Sequence, residues 1–135
     1  MPVARRSNGW RRIARNAAYE FPRLRAELRD MQTQSITPRL SGMPGGAGEH
    51  RSTEDAALRQ LPAAEQRRHD AVAQAVQICG QLTSGPSRVK LIDLVYFRRS
   101  HTVEGAALQI PISSRQAWGW NNDFLLLVWA RLRDQ

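Results

Sequence analysis

Arg115, Gln116 and Asn122 lie within eight residues of one another, beside Ser113, Ser114 and Trp118. These are the side-chain types that read nucleic-acid bases. A guanidinium donates two parallel hydrogen bonds to guanine, and a carboxamide pairs bidentately with adenine. Just upstream stand Arg98, Arg99, His101 and Thr102, which suit contacts to phosphate oxygens. A second basic group, Arg5, Arg6, Arg11, Arg12 and Arg15, precedes the first acid of the chain, Glu20. A basic arm that tracks phosphates has this composition, and so does a solvated tail.

The residues between 102 and 123 set out how such a reader would be held. Thr102 can cap a short helix, Val103 to Gln109. Ala106 and Ala107 offer small side chains where two helices cross. Ile110 and Ile112 flank Pro111 in a tight turn and cover the core beneath it. Ser113 then caps a second helix, with Gln116 at the capping-box position. Ala117 and Trp120 face the first helix. That spacing leaves Ser114, Arg115, Trp118, Gly119 and Asn122 outward, as on the recognition helix of a helix-turn-helix. An ordinary α-hairpin has the same outline.

Other chemistry finds little support. His50, His69 and His101 are scattered, no Asp/Glu/His group has metal-ligand spacing, and no nucleophile adjoins a base, so no catalytic site, metal or cofactor is expected. The glycines of residues 35–51 lack the strand before and the Gly-Lys-Ser/Thr after that a phosphate loop requires. The lone Cys79 excludes an intrachain disulfide, fits a reducing compartment, and falls on an apolar helix face as a small core residue.

The 135 residues carry 20 Lys+Arg against 12 Asp+Glu, a net charge of +8, and all the basic residues but Lys90 are Arg. That excess favours nucleic acid, anionic lipid or an acidic protein surface as partner. Residues 1–30 hold eight Arg against three acids, whereas residues 91–135 hold five against four, so the charge is concentrated at the N-terminal end. The longest apolar run, Phe124 to Ala130, is far too short to span a membrane. No apolar stretch marks a secretory signal. The Arg-rich beginning shares its composition with transit peptides, and no other sign of import accompanies it.

The remaining periodicity predicts an all-α fold. Residues 1–18 are expected to form a basic N-terminal arm, disordered over 1–9 and helical from Trp10 to Ala18. Residues 19–87 form a helical region in which Pro22 opens a helix carrying Leu24, Leu28 and Met31. Residues 35–51 form a Gly/Pro-rich loop. Ser52 and Asp55 cap a short helix, and Leu61-Pro62 precedes a long one, Ala63 to Leu82, striped by Val72, Val76, Cys79 and Leu82. Ser84-Gly85-Pro86 ends it. Residues 88–135 form the helix-turn-helix module. Its first segment, Arg88 to Phe97, could pass for a strand at Leu94-Val95-Tyr96-Phe97, but its setting favours a helix. The last helix, to about Leu132, is apolar all round at Phe124 to Trp129 and must be covered by the N-terminal helices or by a partner.

Several segments, taken in order, resemble the RinA/ArpU-type phage transcriptional regulators, whose C-terminal half is similar to region 4 of sigma factors. They are Tyr19-Glu20-Phe21-Pro22-Arg23-Leu24, Ile36-Thr37-Pro38, Ser41-Gly42-Met43-Pro44, Ser52-Thr53-Glu54, Leu91 to Phe97, Ser100-His101-Thr102, and Ile112 to Ala117. The resemblance spans about residues 19–132. It implies a phage- or prophage-encoded DNA-binding regulator that activates late or packaging genes in the bacterial host cytoplasm, associated with the nucleoid. It also implies double-stranded DNA as partner, with RNA polymerase or a sigma factor as a further one. A homodimer through the C-terminal helix would cover its apolar face. The chain departs from the family pattern after Ala117. Where several basic residues are usual, it has Trp118, Gly119, Asn121, Asn122 and Asp123, which leaves Arg115 as the recognition helix's positive charge. An antiterminator that docks on polymerase through the sigma-like module would tolerate that departure, and a small packaging subunit would likewise pair a helix-turn-helix module with a basic tail.

Overall fold

The structure is a computed structural model. It describes residues 2–41 and 60–134, with backbone alone at residues 2–8 and 34–41. Among the described residues five α-helices follow one another: α1 (Pro2–Ser41), α2 (Ala63–Gln81), α3 (Gly85–Ile92), α4 (Val103–Gln109) and α5 (Ser114–Arg133). A π-helical turn, Asp93–Phe97, extends α3. No strand occurs among the described residues. The expectation of an all-α chain therefore holds. The expected helix from Ser52 falls outside the described residues.

The hub of the fold is α5. Its buried residues are Ala117, Trp120, Asn121, Phe124, Leu125 and Val128. Their spacing of three and one places them on a single stripe. The stripe packs against α1, α2 and α4. On α1 the matching stripe is Ala14, Ala17, Ala18, Phe21 and Leu24, all buried. From α2 come Ala71, Val72, Ala75 and Cys79. Alanines on facing surfaces let helix axes approach closely. Burial pushes the Cys79 thiol pKa up, with nearby Arg88 opposing. Cys79 is thus a protonated core residue, as its place in the pattern suggested.

Two expectations about the N-terminal third are corrected. The first helix does not end before Pro22; one helix runs from Pro2 through Ser41 and takes in residues expected to be disordered or loop. Nor is residues 1–18 an arm throughout, since Ala14, Ala17 and Ala18 are fully buried. A proline inside a helix costs about 3 kcal/mol by removing one N–H donor and crowding the preceding turn. Burial of Phe21 and Leu24 on either side of Pro22 offsets that cost. Tertiary ties add to it: Arg68 Nε of α2 lies 2.8 Å from Glu20 Oε1 of α1, and the Phe21 ring stacks on His69 at 5.1 Å.

Helix α2 starts at Ala63 behind Pro62, as its pattern indicates. Leu82, expected on the apolar stripe, lies beyond its last turn and is exposed. The segment 88–97 is helical rather than extended. Leu91, Ile92, Leu94, Val95 and Tyr96 are all buried, too many in succession for one α-helical face. The π-helical turn widens the helix by one residue and lets Leu94, Val95 and Tyr96 all turn inward. It closes with Arg98 N donating to Asp93 O at 2.8 Å.

Candidate nucleic-acid interface

Both caps read from the sequence are made. Gly105 N donates to Thr102 Oγ1 at 3.0 Å and Gln116 N donates to Ser113 Oγ at 3.0 Å. Helix α4 covers Val103–Gln109, the range its signals indicate. Ala106, Ala107, Ala117 and Trp120 are buried where α4 meets α5, with Ile110 and Ile112 half-buried on the turn. The α4–turn–α5 unit thus has the geometry of a helical hairpin in which the N-terminal turn of α5 projects from the body.

That projecting turn carries Ser114, Arg115 and Gln116, all exposed, and Trp118 follows at 50% exposure. Asn122 does not join them cleanly. It is half-buried, and its Oδ1 is enclosed without a hydrogen-bond partner. Among the expected phosphate contacts, Arg98 is taken up by an exposed ion pair with Asp93 at 2.8 Å. Thr102 Oγ1 is occupied as the α4 cap, and His101 Nδ1 lies 2.7 Å from Ser100 Oγ. Arg12 is exposed, while the side chains of Arg5 and Arg6 lie outside the described residues.

Arg11, Arg15 and Arg99 have a more specific placement. All three line a cleft of about 360 Å³ between α1 and the start of the α4–α5 unit. Trp118 forms part of the same cleft, and so do His101 and Thr102. Arg11 and Arg15 reach it because residues 11, 15 and 19 share one face of α1 at spacings of four. Arg99 reaches it through its backbone, which is left-handed at φ 53°. Ser100 N and His101 N both donate to Leu94 O, at 3.0 and 3.3 Å, and hold that bend. The Arg99 guanidinium then lies over the Tyr19 ring, 4.2 Å from its centroid.

The floor of the cleft includes Tyr96 and Asn121, which the sequence reading did not single out. Tyr96 Oη donates to Asn121 Oδ1 across 25 residues of sequence, and both side chains are buried. Burial raises the Tyr96 pKa far above the ordinary value of 10.0; adjacent Tyr19 adds to the rise, and Arg15 opposes it. Tyr96→Phe leaves the Asn121 oxygen buried without its donor, at a cost of about 1–3 kcal/mol. The pH dependence has a definite sign. A raised folded-state pKa contributes stability that is fully present below 10.0 and is lost as the pH climbs beyond it, because the unfolded chain releases the proton first. Urea unfolding of Tyr96→Phe should therefore show lower stability at neutral pH and a shallower alkaline decline.

A separate groove of about 660 Å³ lies along the other side of α5. It is lined by Trp10, Leu82, Leu126, Leu127 and Trp129, with Leu82 and Leu126 exposed. The N-terminal helices thus cover Phe124, Leu125 and Val128 of the apolar run and leave part of its far side open. Among the described residues no His/Cys/Asp/Glu group could hold a metal ion, and no helix is long and apolar enough to cross a membrane. Comparison with family models, with curated proteins and with solved structures finds no match.

Proposed function

We propose that the chain is a DNA-binding transcriptional regulator of phage or prophage origin, an activator of late gene expression whose α4–α5 unit acts as a helix-turn-helix of sigma region 4 type. The observation that carries this reading is the Ser113-capped start of α5. It projects Ser114, Arg115 and Gln116 from a hairpin sealed by alanines, beside the Arg11, Arg15 and Arg99 cluster. In this reading α5 enters the major groove and Arg115 takes a guanine edge. The basic residues of α1 supply affinity through phosphate contacts and counterion release.

Fluorescence anisotropy with the phage's own late-promoter duplex and a scrambled duplex tests it. Arg115→Ala should weaken the promoter complex by about 1–3 kcal/mol and the scrambled complex much less. Equal losses on both duplexes would remove α5 as the recognition helix. Arg12→Ala, at an exposed α1 position, should weaken both equally and reduce the salt slope by about one.

Trp118 favours a second reading. A half-exposed indole on a helix whose next residues bring no positive charge suits a protein surface as well as a DNA groove. An antiterminator-type regulator would then dock on RNA polymerase through α5. Co-purification with polymerase after nuclease treatment, abolished by Trp118→Ala and not by Arg115→Ala, separates it from the first reading.

A further inference from the structure

The cleft between α1 and the α4–α5 unit has more structure than a backbone-phosphate contact requires. Such a contact needs only positive charge on an accessible face. Here the charge lines a concavity of about 360 Å³, within the size range of small-molecule sites. Arg11, Arg15 and Arg99 are among its lining residues, the Arg11 guanidinium also lying 5.2 Å from the Trp10 ring centroid, and none of the three forms an ion pair with a carboxylate among the described residues. The lining also includes aromatic and apolar side chains, the half-exposed Trp118 and the buried Val103 and Leu125. Arg99 is fixed in place by its left-handed backbone and by the Tyr19 ring beneath it. A non-glycine residue held at positive φ is strain that the surrounding hydrogen bonds maintain.

We propose that this cleft binds a free nucleotide, with its phosphate on Arg11, Arg15 and Arg99 and its base stacked on Trp118. Guanidinium groups match phosphate oxygens bidentately, and an indole face accepts any base. Thr102 and His101 also line the cleft. An occupied cleft joins α1 to α5 and withdraws Arg11, Arg15 and Trp118 from any other partner. The site would then couple nucleotide to whatever α5 contacts.

Isothermal titration of the full chain with AMP, GMP and ATP, followed in parallel by tryptophan fluorescence, tests the assignment. At least one nucleotide should bind once per chain and quench emission. Adenosine, guanosine and inorganic phosphate should each bind at least about tenfold more weakly, because each offers one half of the contact. Arg15→Ala should weaken the nucleotide about tenfold or more, and Trp118→Leu should abolish the quenching. Both residues are exposed on helices, and unchanged thermal unfolding of the variants confirms that their folds are intact. The assignment is overturned if no nucleotide binds at millimolar concentration, if inorganic phosphate binds as well as the nucleotides, or if both variants bind like the parent. It is likewise overturned if a single-stranded oligonucleotide binds through Arg15 and Trp118 while free nucleotides do not. The titration contains no duplex, so its failure and a failure of promoter binding are separate results.

Discussion

Phe124→Ala should be the most destabilising truncation of a single side chain in the molecule, lowering stability by about 3–5 kcal/mol. Phe124 is 0% exposed and heads the fully buried side chains by volume. Its ring meets Tyr96 at 5.4 Å between centroids and 45° between planes, an arrangement that adds to simple area burial. It also sits midway along the α5 stripe that α1, α2 and α4 share, so no single neighbour can move in to fill the cavity. Small domains are stable by only about 5–15 kcal/mol, so the variant should lose much of its margin. Urea unfolding followed by far-ultraviolet circular dichroism measures this directly. Leu126→Ala, two residues away at 44% exposure, truncates a side chain that is already partly in solvent and should cost far less. If the two variants unfold at the same urea concentration, α5 does not pack in the orientation described.

The α4–α5 unit was legible because its signals are local. Thr102 and Ser113 are caps whose partners lie three residues away, and Ala106, Ala107, Ala117 and Trp120 face inward by helical spacing alone. The long run from Ala63 was legible for the same reason. The continuity of α1 was not. Pro22 is a strong local stop signal, and the burial of Ala14, Ala18 and Phe21 that overrides it depends on helices far along the chain. Arg11, Arg15 and Tyr19 all precede Pro22, and their shared face needs only that the helix expected from Trp10 to Ala18 run on through Tyr19. Arg99 adds a second non-local step: its side chain is aimed by a positive φ that residue type does not announce, arginine being no more prone to it than most. The Tyr96–Asn121 pair joins an apolar segment to a stretch read as an outward-facing recognition helix, 25 residues apart, so its polar bond had no local signal. The helices that carry the candidate residues were therefore legible where their signals are local, and the tertiary contacts that bring Arg11, Arg15 and Arg99 beside Trp118 were not.

The turn between α2 and α3 shows the same division, and three adjacent substitutions should separate its parts. Ser84-Gly85-Pro86 reads as a helix stop, whereas α2 already ends at Gln81 and Gly85-Pro86 opens α3 behind Ser84. The reason for the glycine is a close approach that no local rule contains. A Cβ placed on Gly85 would lie 2.0 Å from the carbonyl oxygen of Gly80 and 2.6 Å from its carbon, and both are backbone atoms that no rotamer change can move. Gly85→Ala must therefore displace α3 from the end of α2, at the upper end of the about 1–3 kcal/mol typical of overpacking. That displacement carries into the π-helical turn and so into Arg99, which means nucleotide affinity should fall together with stability. Gly80→Ala should behave oppositely. Its Cβ would meet only Val89 Cγ2 at 3.6 Å, an ordinary contact, and alanine gains up to about 1 kcal/mol over glycine within a helix. Ser84→Gly should also stabilise, since Ser84 holds φ at 59° and a non-glycine residue there costs about 1–2 kcal/mol. Thermal unfolding of the three variants should therefore rank Gly80→Ala and Ser84→Gly above the parent and Gly85→Ala well below it. A Gly85→Ala variant as stable as the parent would mean that α2 and α3 do not meet through these two backbones, and the path from that turn to the cleft would fall with it.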